Sequence, residues 1–505
     1  MIRKIFSVEQ IRKADQFTIE QEPVSSINLM ERAANECFLW LKKKANKDQE
    51  FVIFAGPGNN GGDGLAIARM LAEEGFKTKL FILSISNRFS DDFLVNKSRL
   101  VEQAKVELEE WNEFPSDFPD LSENAIIIDA IFGSGLSKPI EGWMAKLITK
   151  INEFSNIKVA IDIPSGLFAD QISESRNPIF LADYTLSFQF PKFSFLFPEN
   201  ERFVGNWEIL DIGLSNEYIT HTVTSNYYLT HSFISSLWKP RAKFSHKGSF
   251  GHALIIAGDD SKMGAAVLCS KAAIKSGAGL VSLHHPKNAK GILPVAIPEV
   301  MSSMDENEEC FGNVPDLTRF NSLAVGPGLG TRKQTARALK LLIQDWKNPM
   351  VIDADAINIL AENKTWLYFL PPHSILTPHV KELDRLFGKS TNSFQRLEKT
   401  KIFAQKHQLF IIIKGAHTAI VSPNGNVYFN STGNPGMASG GSGDVLSGIL
   451  AGLLAQNYSP LNASLIAVYL HGLAGDFALE ELGFESLIAG DIIHYLPKAF
   501  KSIYA

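Results

Sequence analysis

Two series of short, continuous apolar segments, each followed by a helical pattern, constrain the fold of this 505-residue chain most strongly. The first series comprises FVIFAG, KTKLFILS, AIIIDAIFG, KVAIDIPSG, ADYTLSF and NWEILDIG, and the second comprises GHALIIAG, GAGLVSLHH, NSLAVGPGLG, PMVIDADA, HSILTPH and LFIIIKG. Strands without apolar–polar alternation are typical of parallel sheets that helices cover on both faces. The pattern predicts α/β structure, with a doubly wound parallel sheet in the N-terminal half.

A polar stretch at residues 214–230, LSNEYITHTVTSNYYLT, separates the two series. A chain of this length exceeds what one hydrophobic core usually supports. We therefore expect two domains, residues 1–222 and 223–505.

The composition excludes several classes of protein. A formal net charge of −5 argues against nucleic-acid binding, which needs a concentrated excess of Lys and Arg. The cysteines, Cys37, Cys269 and Cys310, are far apart and lack metal-ligand spacing. No signal-peptide core is visible at the N-terminus, and no apolar run reaches membrane-spanning length. We expect a soluble cytoplasmic protein without nucleic-acid or membrane partners.

A glycine-rich loop follows the first apolar segment in VIFAGPGNNGGDGLAIARML. Gly56, Gly58 and Gly61 match the dinucleotide pattern G-x-G-x-x-G, and such a loop can direct backbone N–H groups at an anion. The full dinucleotide fingerprint also requires an acidic residue after the second strand, where KTKLFILSISN has Ser and Asn. The loop therefore predicts a nucleotide ligand that is not used for hydride transfer.

Polar side chains follow several predicted strands of this half. They are Asn59, Asn60, Asp63, Asp129, Asp162 and Ser165. Because ligands of open α/β sheets bind at the carboxyl ends of the strands, we expect these groups to converge on one crevice. Turn formation or helix capping explains any single one of these loops equally well.

A second glycine-rich turn, NPGMASGGSGDVLSGILAGLL, ends at Asp444 in the first turn of an apolar helix. Its N–H groups can bind phosphate oxygens, and no Lys-Ser/Thr pair closes it as in a Walker loop. Gly441, Gly443 and Asp444 fit phosphoryl transfer to a hydroxyl group, with Asp444 accepting the proton. The alternative is a capped helix packed through small residues.

Three further loops follow strands upstream of this turn: GPGLGT at 326–331, LTPHVKEL with His379, and IIIKGAHTAI with Lys414. Taken alone, His379 fits an ordinary strand-end histidine and Lys414 a surface charge. Together with the Asp444 loop, they predict a nucleotide cleft.

The motifs GPGNNGGDG, DAIFGSG and DIPSG, after a helix containing LMERAA, resemble the YjeF N-terminal domain, the NAD(P)H-hydrate epimerase family. Ser134 stands where that family has Thr. The resemblance implies a Rossmann-like αβα fold, Asp162 as acid/base, and a K⁺ ion held by Asn60, Asp129 and Ser165. It also implies that Asp162 and two further segments border the hydrated nucleotide, namely Asn59, Asn60, Gly61, Gly62 and Asp63, and Gly133, Ser134, Gly135, Leu136, Ser137, Lys138 and Pro139.

The second half resembles the ribokinase-like YjeF C-terminal domain, the NAD(P)H-hydrate dehydratase family. The resemblance implies phosphorylation of the ring hydroxyl by ADP with Mg²⁺, followed by elimination of phosphate. The substrate contacts that it implies are Ala253, Gly328, His379 and Asp444, and the nucleotide contacts are Lys414, Gly415, Ala416, His417, Thr418 and Gly443. Two positions depart from the family pattern, Val380–Lys381 in place of a Pro-Gly-like turn and His417 in place of a small residue.

The two resemblances together imply one enzyme that repairs hydrated NADH and NADPH. The first domain interconverts the two stereoisomers, the second dehydrates one of them, and a homo-oligomer, a tetramer, is expected. One alternative makes the first domain a non-catalytic nucleotide-binding scaffold. The other makes the second domain an ordinary small-molecule kinase.

Overall fold

The computed structural model describes residues 2–22, 24–86, 88–173 and 177–504. The chain forms two compact units. One is Lys4–Thr224, and the other joins Ser225–Ala505 to Met1–Arg3. Among the described helices, none has both the length and the apolar character needed to cross a membrane.

The first unit alternates strands with helices. Its strands are β2 (Glu50–Ala55), β3 (Lys77–Leu83), β4 (Glu107–Trp111), β5 (Ile126–Ala130), β6 (Lys158–Ile161), β7 (Tyr184–Phe188) and β8 (Asn206–Leu210), while the short strand β1 (Arg3–Lys4) lies at the division between the units. Its helices are α1 (Val8–Gln21), α2 (Ser26–Lys44), α3 (Asn59–Glu73), α4 (Asp91–Gln103), α5 (Gly142–Asn152), α6 (Glu201–Val204) and α7 (Asn216–His221), with 3₁₀ turns at Phe193–Leu196 and Pro198–Asn200.

The seven strands β2 to β8 form one parallel sheet in the order β4-β3-β2-β5-β6-β7-β8. All residues of β2 and β5 are buried, as expected for strands with helices on both faces. The prediction of a doubly wound parallel sheet is confirmed. The chain leaves β2 toward one edge of the sheet and β5 toward the other, so the topological switch point lies between these two strands.

The second unit begins within the polar stretch that marks the predicted boundary, and this stretch contains α7 and a short strand. Its strands are β9 (Asn226–Tyr228), β10 (His252–Ile256), β11 (Leu280–His285), β12 (Met301–Met304), β13 (Ser322–Val325), β14 (Val351–Ile352), β15 (Ile375–Leu376), β16 (Phe410–Ile413), β17 (Ala419–Val421) and β18 (Val427–Phe429). Its helices are α8 (His231–Leu237), α9 (Met263–Lys275), α10 (Ile292–Ala296), α11 (Lys333–Asp345), α12 (Ala354–Glu362), α13 (Val380–Phe387), α14 (Ser393–His407), α15 (Ser442–Ala455), α16 (Pro460–Ser486) and α17 (Ala489–Ile503), with 3₁₀ turns at Lys247–Phe250, Lys287–Ala289, Lys364–Phe369 and Pro435–Met437.

The sheet of the second unit has the order β9-β18-β17-β16-β15-β14-β13-β10-β11-β12, with β1 beside β9. Strands β10 to β16 pair in parallel, and β17 is antiparallel to both of its neighbours. The switch point lies between β10 and β13. This order brings the loops after β13, β14, β15 and β16 to one edge of the sheet.

Helices α9 and α15 pack closely over this sheet. A Cβ atom added to Gly448 would lie 2.1 Å from the Cys269 carbonyl oxygen, and one added to Gly452 would lie 2.6 Å from that of Ala273. Both glycines therefore allow backbone-to-backbone contact between the two helices. This contact fixes the position of α15, whose first turn carries Asp444.

Candidate active sites

The first candidate site is a cavity of about 640 Å³ in the first unit. The loops after β2, β5 and β6 form much of its wall, so it lies at the topological switch point of the sheet. The predicted residues on this wall are Asn59, Asn60, Asp63, Gly133, Ser134, Gly135, Leu136, Ser137, Lys138 and Asp162.

Three predicted substrate-binding residues, Gly61, Gly62 and Pro139, do not belong to the cavity wall. A Cβ atom on Gly61 would lie 1.7 Å from the Gly56 carbonyl oxygen, and one on Gly62 would lie 2.8 Å from the Met30 side chain. Glycine is thus required at 61, where the start of α3 packs against the backbone of its own loop, whereas at 62 the contact is with the flexible end of a side chain on α2. The glycine pattern reflects this packing as well as ligand access.

Asp162 follows β6 and adopts a left-handed conformation, with φ of 64°. Its N–H donates to the Leu186 carbonyl oxygen at 2.7 Å, which fixes the turn to β7. The Oδ1 atom lies 2.7 Å from Lys192 Nζ, and Oδ2 accepts a hydrogen bond from Ser134 N–H at 3.2 Å. A left-handed non-glycine residue costs about 1–3 kcal/mol, and such residues concentrate at functional sites. The surrounding turn therefore holds this carboxylate at the cavity.

Lys192 is a site residue that the sequence reasoning did not identify. It lines the cavity, its side chain is only 1% exposed, and its ammonium group is paired with Asp162. It lies four residues after β7, and β7 is the neighbour of β6. The rule that polar residues after neighbouring strands converge would have identified it in QFPKF.

Two more carboxyl groups of the cavity wall have raised pKa values. Burial, followed by the nearby charge of Asp162, raises the pKa of Asp15 to about 7, while Lys192 partly opposes the rise. Burial, followed by Asp162 and Asp15, raises the pKa of Asp63 well above its ordinary value. Asp63 was predicted for this site and Asp15 was not. The signal for Asp15 is a single acid at helical spacing between Ile11 and Ile19, which also line the cavity.

Asp129 and Ser165, two of the predicted K⁺ ligands, are fully buried and do not belong to the cavity wall. Ser165 donates to Asp129 through both its hydroxyl group, at 2.6 Å, and its N–H, at 2.7 Å, and its Oγ also accepts from Phe132 N–H at 2.9 Å. Burial raises the pKa of Asp129 to about 6 against the opposing effect of these hydrogen bonds. Asn60 contributes a buried amide nitrogen without a partner and packs beside Gly133. The donor set of carboxylate, hydroxyl and amide oxygens fits a hard cation such as K⁺.

The second candidate site lies in the second unit, where Asp444 occupies the third position of α15. Gly441 caps this helix with φ of 93°, a conformation that favours glycine. Burial, followed by the charge of Asp353, raises the pKa of Asp444 to about 6, and Lys414 partly opposes the rise. A carboxylate with a pKa near neutrality, beside free N–H groups, is suited to general-base catalysis on a phosphorylated ligand.

Asp353 organises the charges around Asp444, although the sequence reasoning did not assign it a role. Its carboxylate is buried at the end of β14, accepts a hydrogen bond from Ser447 at 2.7 Å and lies 3.0 Å from Lys414 Nζ. Gly443 lies beside this pair, because a Cβ atom there would be 3.2 Å from Lys414 Nζ. The structure therefore brings the predicted residues Lys414, Gly443 and Asp444 together.

His379 precedes α13 and caps it, because its Nδ1 accepts hydrogen bonds from the N–H groups of Lys381 and Glu382 at 3.1 and 3.3 Å. Burial, followed by the charge of Lys414, lowers the pKa of His379. Val380 and Lys381, which depart from the family pattern, form the first turn of α13. Lys381 contributes its backbone N–H to the cap that His379 forms, and the two residues are helical rather than part of a separate loop.

Two of the predicted substrate contacts, Gly328 and Ala253, lie at different distances from the edge of the sheet that carries the other loops. Gly328 follows β13 with φ of 61°, at the same edge as the other loops, and a Cβ atom there would lie 2.8 Å from the Lys262 carbonyl oxygen. Ala253 is fully buried near the start of β10. Because β10 ends at Ile256, three residues later, Ala253 lies roughly 10 Å from the carboxyl end of that strand, at about 3.3 Å per residue. The structure does not bring Ala253 to the edge where Asp444 lies.

The predicted nucleotide-binding segment from Lys414 to Thr418 connects β16 to β17. Gly415 and Ala416 are exposed, and Thr418 donates a hydrogen bond to the Gly415 carbonyl oxygen at 2.9 Å. Nδ1 of His417 lies 3.2 Å from the Asn430 carbonyl oxygen. The larger residue at 417 therefore fits against the segment after β18.

Comparison with known proteins gives a match for each half. The model of the YjeF-related protein N-terminus matches residues 26–194, and the NAD(P)H-hydrate dehydratase model matches residues 253–498. The bifunctional NAD(P)H-hydrate repair enzyme of Thermofilum pendens is 32% identical over 99% of this chain and 97% of its own length. The enzyme of that name from Moorella thermoacetica is 33% identical over the same shares. A ribokinase-like superfamily protein of Enterococcus faecalis aligns with 56% of this chain and 99% of its own, at 29% identity and a TM-score of 0.50, which supports the predicted ribokinase-like fold.

Proposed function

This chain belongs to the family of bifunctional NAD(P)H-hydrate repair enzymes, and on that premise we propose that its two units catalyse successive steps. Residues 1–222 interconvert the R and S hydrates of NADH and NADPH, and residues 223–505 dehydrate the S form. The observation that carries this proposal is Asp444, a partly buried carboxyl group at the N-terminus of a helix, beside Lys414 and Asp353.

In the first site, the hydrate carries a hydroxyl group on a carbon next to the ring nitrogen. Protonation of that hydroxyl lets it leave as water, with the nitrogen lone pair stabilising the ring cation. Water then adds to the other face of the ring and loses a proton. We assign proton transfer to Asp162, which Lys192 and the turn after β6 hold in position. K⁺ at Asn60, Asp129 and Ser165 would neutralise the buried carboxylate of Asp129.

In the second site, Asp444 removes the proton of the ring hydroxyl, whose oxygen attacks the terminal phosphorus of ADP. AMP leaves, and the N–H groups around Gly441 and Gly443 stabilise the charge on the transferred group. The phosphate then leaves with the electrons of the carbon–oxygen bond, and loss of the neighbouring ring proton restores the dihydropyridine. The net products are NADH, AMP and phosphate.

Mg²⁺ is expected to accompany the nucleotide and to neutralise its phosphate charges. The described residues contain no group of three or more His, Cys, Asp or Glu side chains suited to a metal ion. The phosphate oxygens and water would therefore supply most of the ligands, as is usual for Mg²⁺. Lys414, at 25% exposure, can approach the same phosphates.

The test supplies the full chain with the hydrates of NADH and either ADP or ATP. NADH absorbance should return, and AMP should accumulate with ADP. We expect Asp444→Asn to abolish this return, because the neutral amide cannot accept the hydroxyl proton, while exchange between the R and S forms continues.

Two results would contradict the proposal. Accumulation of a stable phosphate ester would identify the second unit as an ordinary kinase. A wild-type exchange rate equal to the spontaneous rate would make the first unit a scaffold. Asp384→Asn is the matched control for Asp444→Asn, because Asp384 lies on α13 and is paired with Arg396 at 4.0 Å.

We also propose that the enzyme acts in the cytoplasm as a homo-tetramer, with hydrated nucleotides and ADP as its small-molecule partners. The resemblance to the repair enzymes supports this assembly. Sedimentation velocity of the purified chain measures the assembly directly, and a monomer at all concentrations would contradict it.

A further inference from the structure

Asp15 has an unusual position for an acidic residue. It lies in the middle of α1, on the helix face whose residues Ile11 and Ile19 also line the cavity of the first unit. Ala14 and Thr18, beside it on the helix, are buried. The family model matches this chain only from residue 26, so α1 lies outside the matched segment.

The environment of Asp15 favours its neutral form. Burial raises its pKa to about 7, and the next contribution is the negative charge of Asp162. Lys192, whose positive charge acts on Asp15, is already paired with Asp162 at 2.7 Å. Within the described part of the chain, Asp15 has no hydrogen bond or ion pair that would stabilise a carboxylate.

Asp15 and Asp162 line the same cavity, but their carboxyl groups differ in their interaction partners. Asp162 is a carboxylate held by an ammonium group and by Ser134 N–H. Asp15 has neither kind of partner. Pairs of carboxyl groups whose surroundings separate their proton affinities are typical of sites that need one acid and one base.

We propose that Asp15 is the second proton-transferring residue of the epimerisation site and that it works with Asp162. This inference rests on the proposed epimerase function of the first unit. Asp15 donates a proton to the ring hydroxyl, the carbon–oxygen bond breaks with its electrons on oxygen, and water departs. The nitrogen lone pair forms a carbon–nitrogen double bond, and water then adds to the opposite face and gives its proton to Asp162. For the reverse conversion, Asp162 donates and Asp15 accepts.

The geometry of α1 supports this role. A capping box between Ser7 and Gln10 fixes the start of the helix, so Asp15 lies on a rigid element. Arg12, one turn earlier, extends toward the loop after β5, because a Cβ atom on Gly135 would lie 2.7 Å from its Nη2. Arg12 thus borders the cavity without forming an ion pair with Asp15.

The test measures exchange between pure R and S hydrates by the full chain without ADP, so that the second unit is inactive. We expect Asp15→Asn to lower kcat by about 100-fold or more with little change in KM. Asp15→Glu, which keeps the acid on a longer side chain, should recover part of the rate. Glu20→Gln is the control, because Glu20 is an exposed acid on the same helix.

The pH profile separates proton transfer from a structural role. A group that must be protonated gives a kcat that falls at alkaline pH, and this fall should disappear in Asp15→Asn. The other titratable groups of the cavity are Arg12, Asp63, Asp92, Lys138, Asp162 and Lys192. Asp63 also has a raised pKa, to which Asp15 contributes, so the pH profile of Asp63→Asn is measured beside that of Asp15→Asn to assign the alkaline fall.

Hydrogen exchange of peptides from the first unit shows whether that unit is folded in each variant. Dehydration of the S hydrate with ADP, which belongs to the second unit, should match the wild-type rate. An Asp15→Asn variant with the exchange rate and pH profile of Glu20→Gln would overturn the inference. Failure of the wild-type chain itself to exchange the two forms would instead overturn the proposed epimerase function. The two failures are therefore distinguishable.

Discussion

At the residue scale, the buried ion pair between Asp162 and Lys192 is the interaction on which the first site most depends. Both groups are nearly excluded from solvent, with side-chain exposures of 11% and 1%. Removing one member of such a pair leaves an uncompensated charge, whereas removing both is often tolerated. The same pair therefore affects both the stability of the first unit and the proton transfer assigned to Asp162.

We predict that Lys192→Met destabilises the first unit by about 3–5 kcal/mol, because Asp162 loses its buried partner. Hydrogen exchange of peptides from residues 4–173 measures this change locally. The double variant Lys192→Met/Asp162→Asn should recover most of the loss without recovering exchange between the hydrates.

The control for Lys192→Met is Lys150→Met, which removes an exposed pair with Glu153 at 2.9 Å. Exposed pairs contribute about 0–1 kcal/mol, so this variant should stay close to wild type. Equal effects of the two substitutions would contradict the importance of the buried pair.

A second prediction at this scale concerns pH. Because the pKa of Asp15 rises from 3.8 to about 7 on folding, the folded state binds more protons than the unfolded state between these values. Asp15 therefore lowers stability as pH rises through this range. Asp15→Asn should be more stable than wild type at pH 8 and equal to it below pH 3.8, which hydrogen exchange at several pH values can measure. A constant difference at all pH values would contradict the assignment.

The sequence identified Asp162 and Asp444 because each follows a strand or a glycine-rich turn in a recognisable motif. It did not identify Lys192 or Asp15, since their importance depends on neighbours that are distant in the chain. Lys192 acts through Asp162, thirty residues earlier, and Asp15 is one acid on an otherwise ordinary amphipathic helix. The position of Lys192 after β7 was a usable signal, but its pairing with Asp162 and the surroundings of Asp15 are visible only in the tertiary structure.

At the scale of elements, continuous apolar segments predicted the parallel strands well, because both faces of these strands are buried. Strand β4 was not predicted, because most of its residues are exposed and it lacks a continuous apolar segment. Strands β17 and β18 were not predicted either, because each has only three residues. The polar stretch between the domains did not predict α7 and β9, which form there.

The contact between α9 and α15 gives a prediction at this scale. Gly448→Ala would place a methyl group 2.1 Å from the Cys269 carbonyl oxygen. We expect a loss of about 1–3 kcal/mol by overpacking, although Gly→Ala in a helix normally stabilises. Hydrogen exchange of α9 and α15 measures the effect, and dehydration should slow because α15 carries Asp444.

Gly264→Ala is the matched control, since Gly264 lies in α9 and a Cβ atom there has no neighbour within 4 Å. This variant should be stabilised by about 1 kcal/mol or less. The same sign for both substitutions would contradict the close packing of the two helices.

At the scale of the whole molecule, each unit contains its own candidate site, and residues that follow parallel strands contribute to both sites. We predict that an equal mixture of Asp162→Asn and Asp444→Asn chains converts the R hydrate to NADH in the presence of ADP. The S hydrate formed by one chain can diffuse to the other. Return of NADH absorbance from pure R hydrate measures the effect, and a rate no faster than that of Asp162→Asn alone would show that the product must pass within one chain.

The division of the chain between the two units affects how fragments should be prepared. Met1–Arg3 belong with Ser225–Ala505, while Lys4–Thr224 form the other unit. A fragment of residues 2–222 therefore begins with two residues of the other unit and omits residues 223 and 224 of its own. For expression of the N-terminal catalyst alone, the natural ends are Lys4 and Thr224.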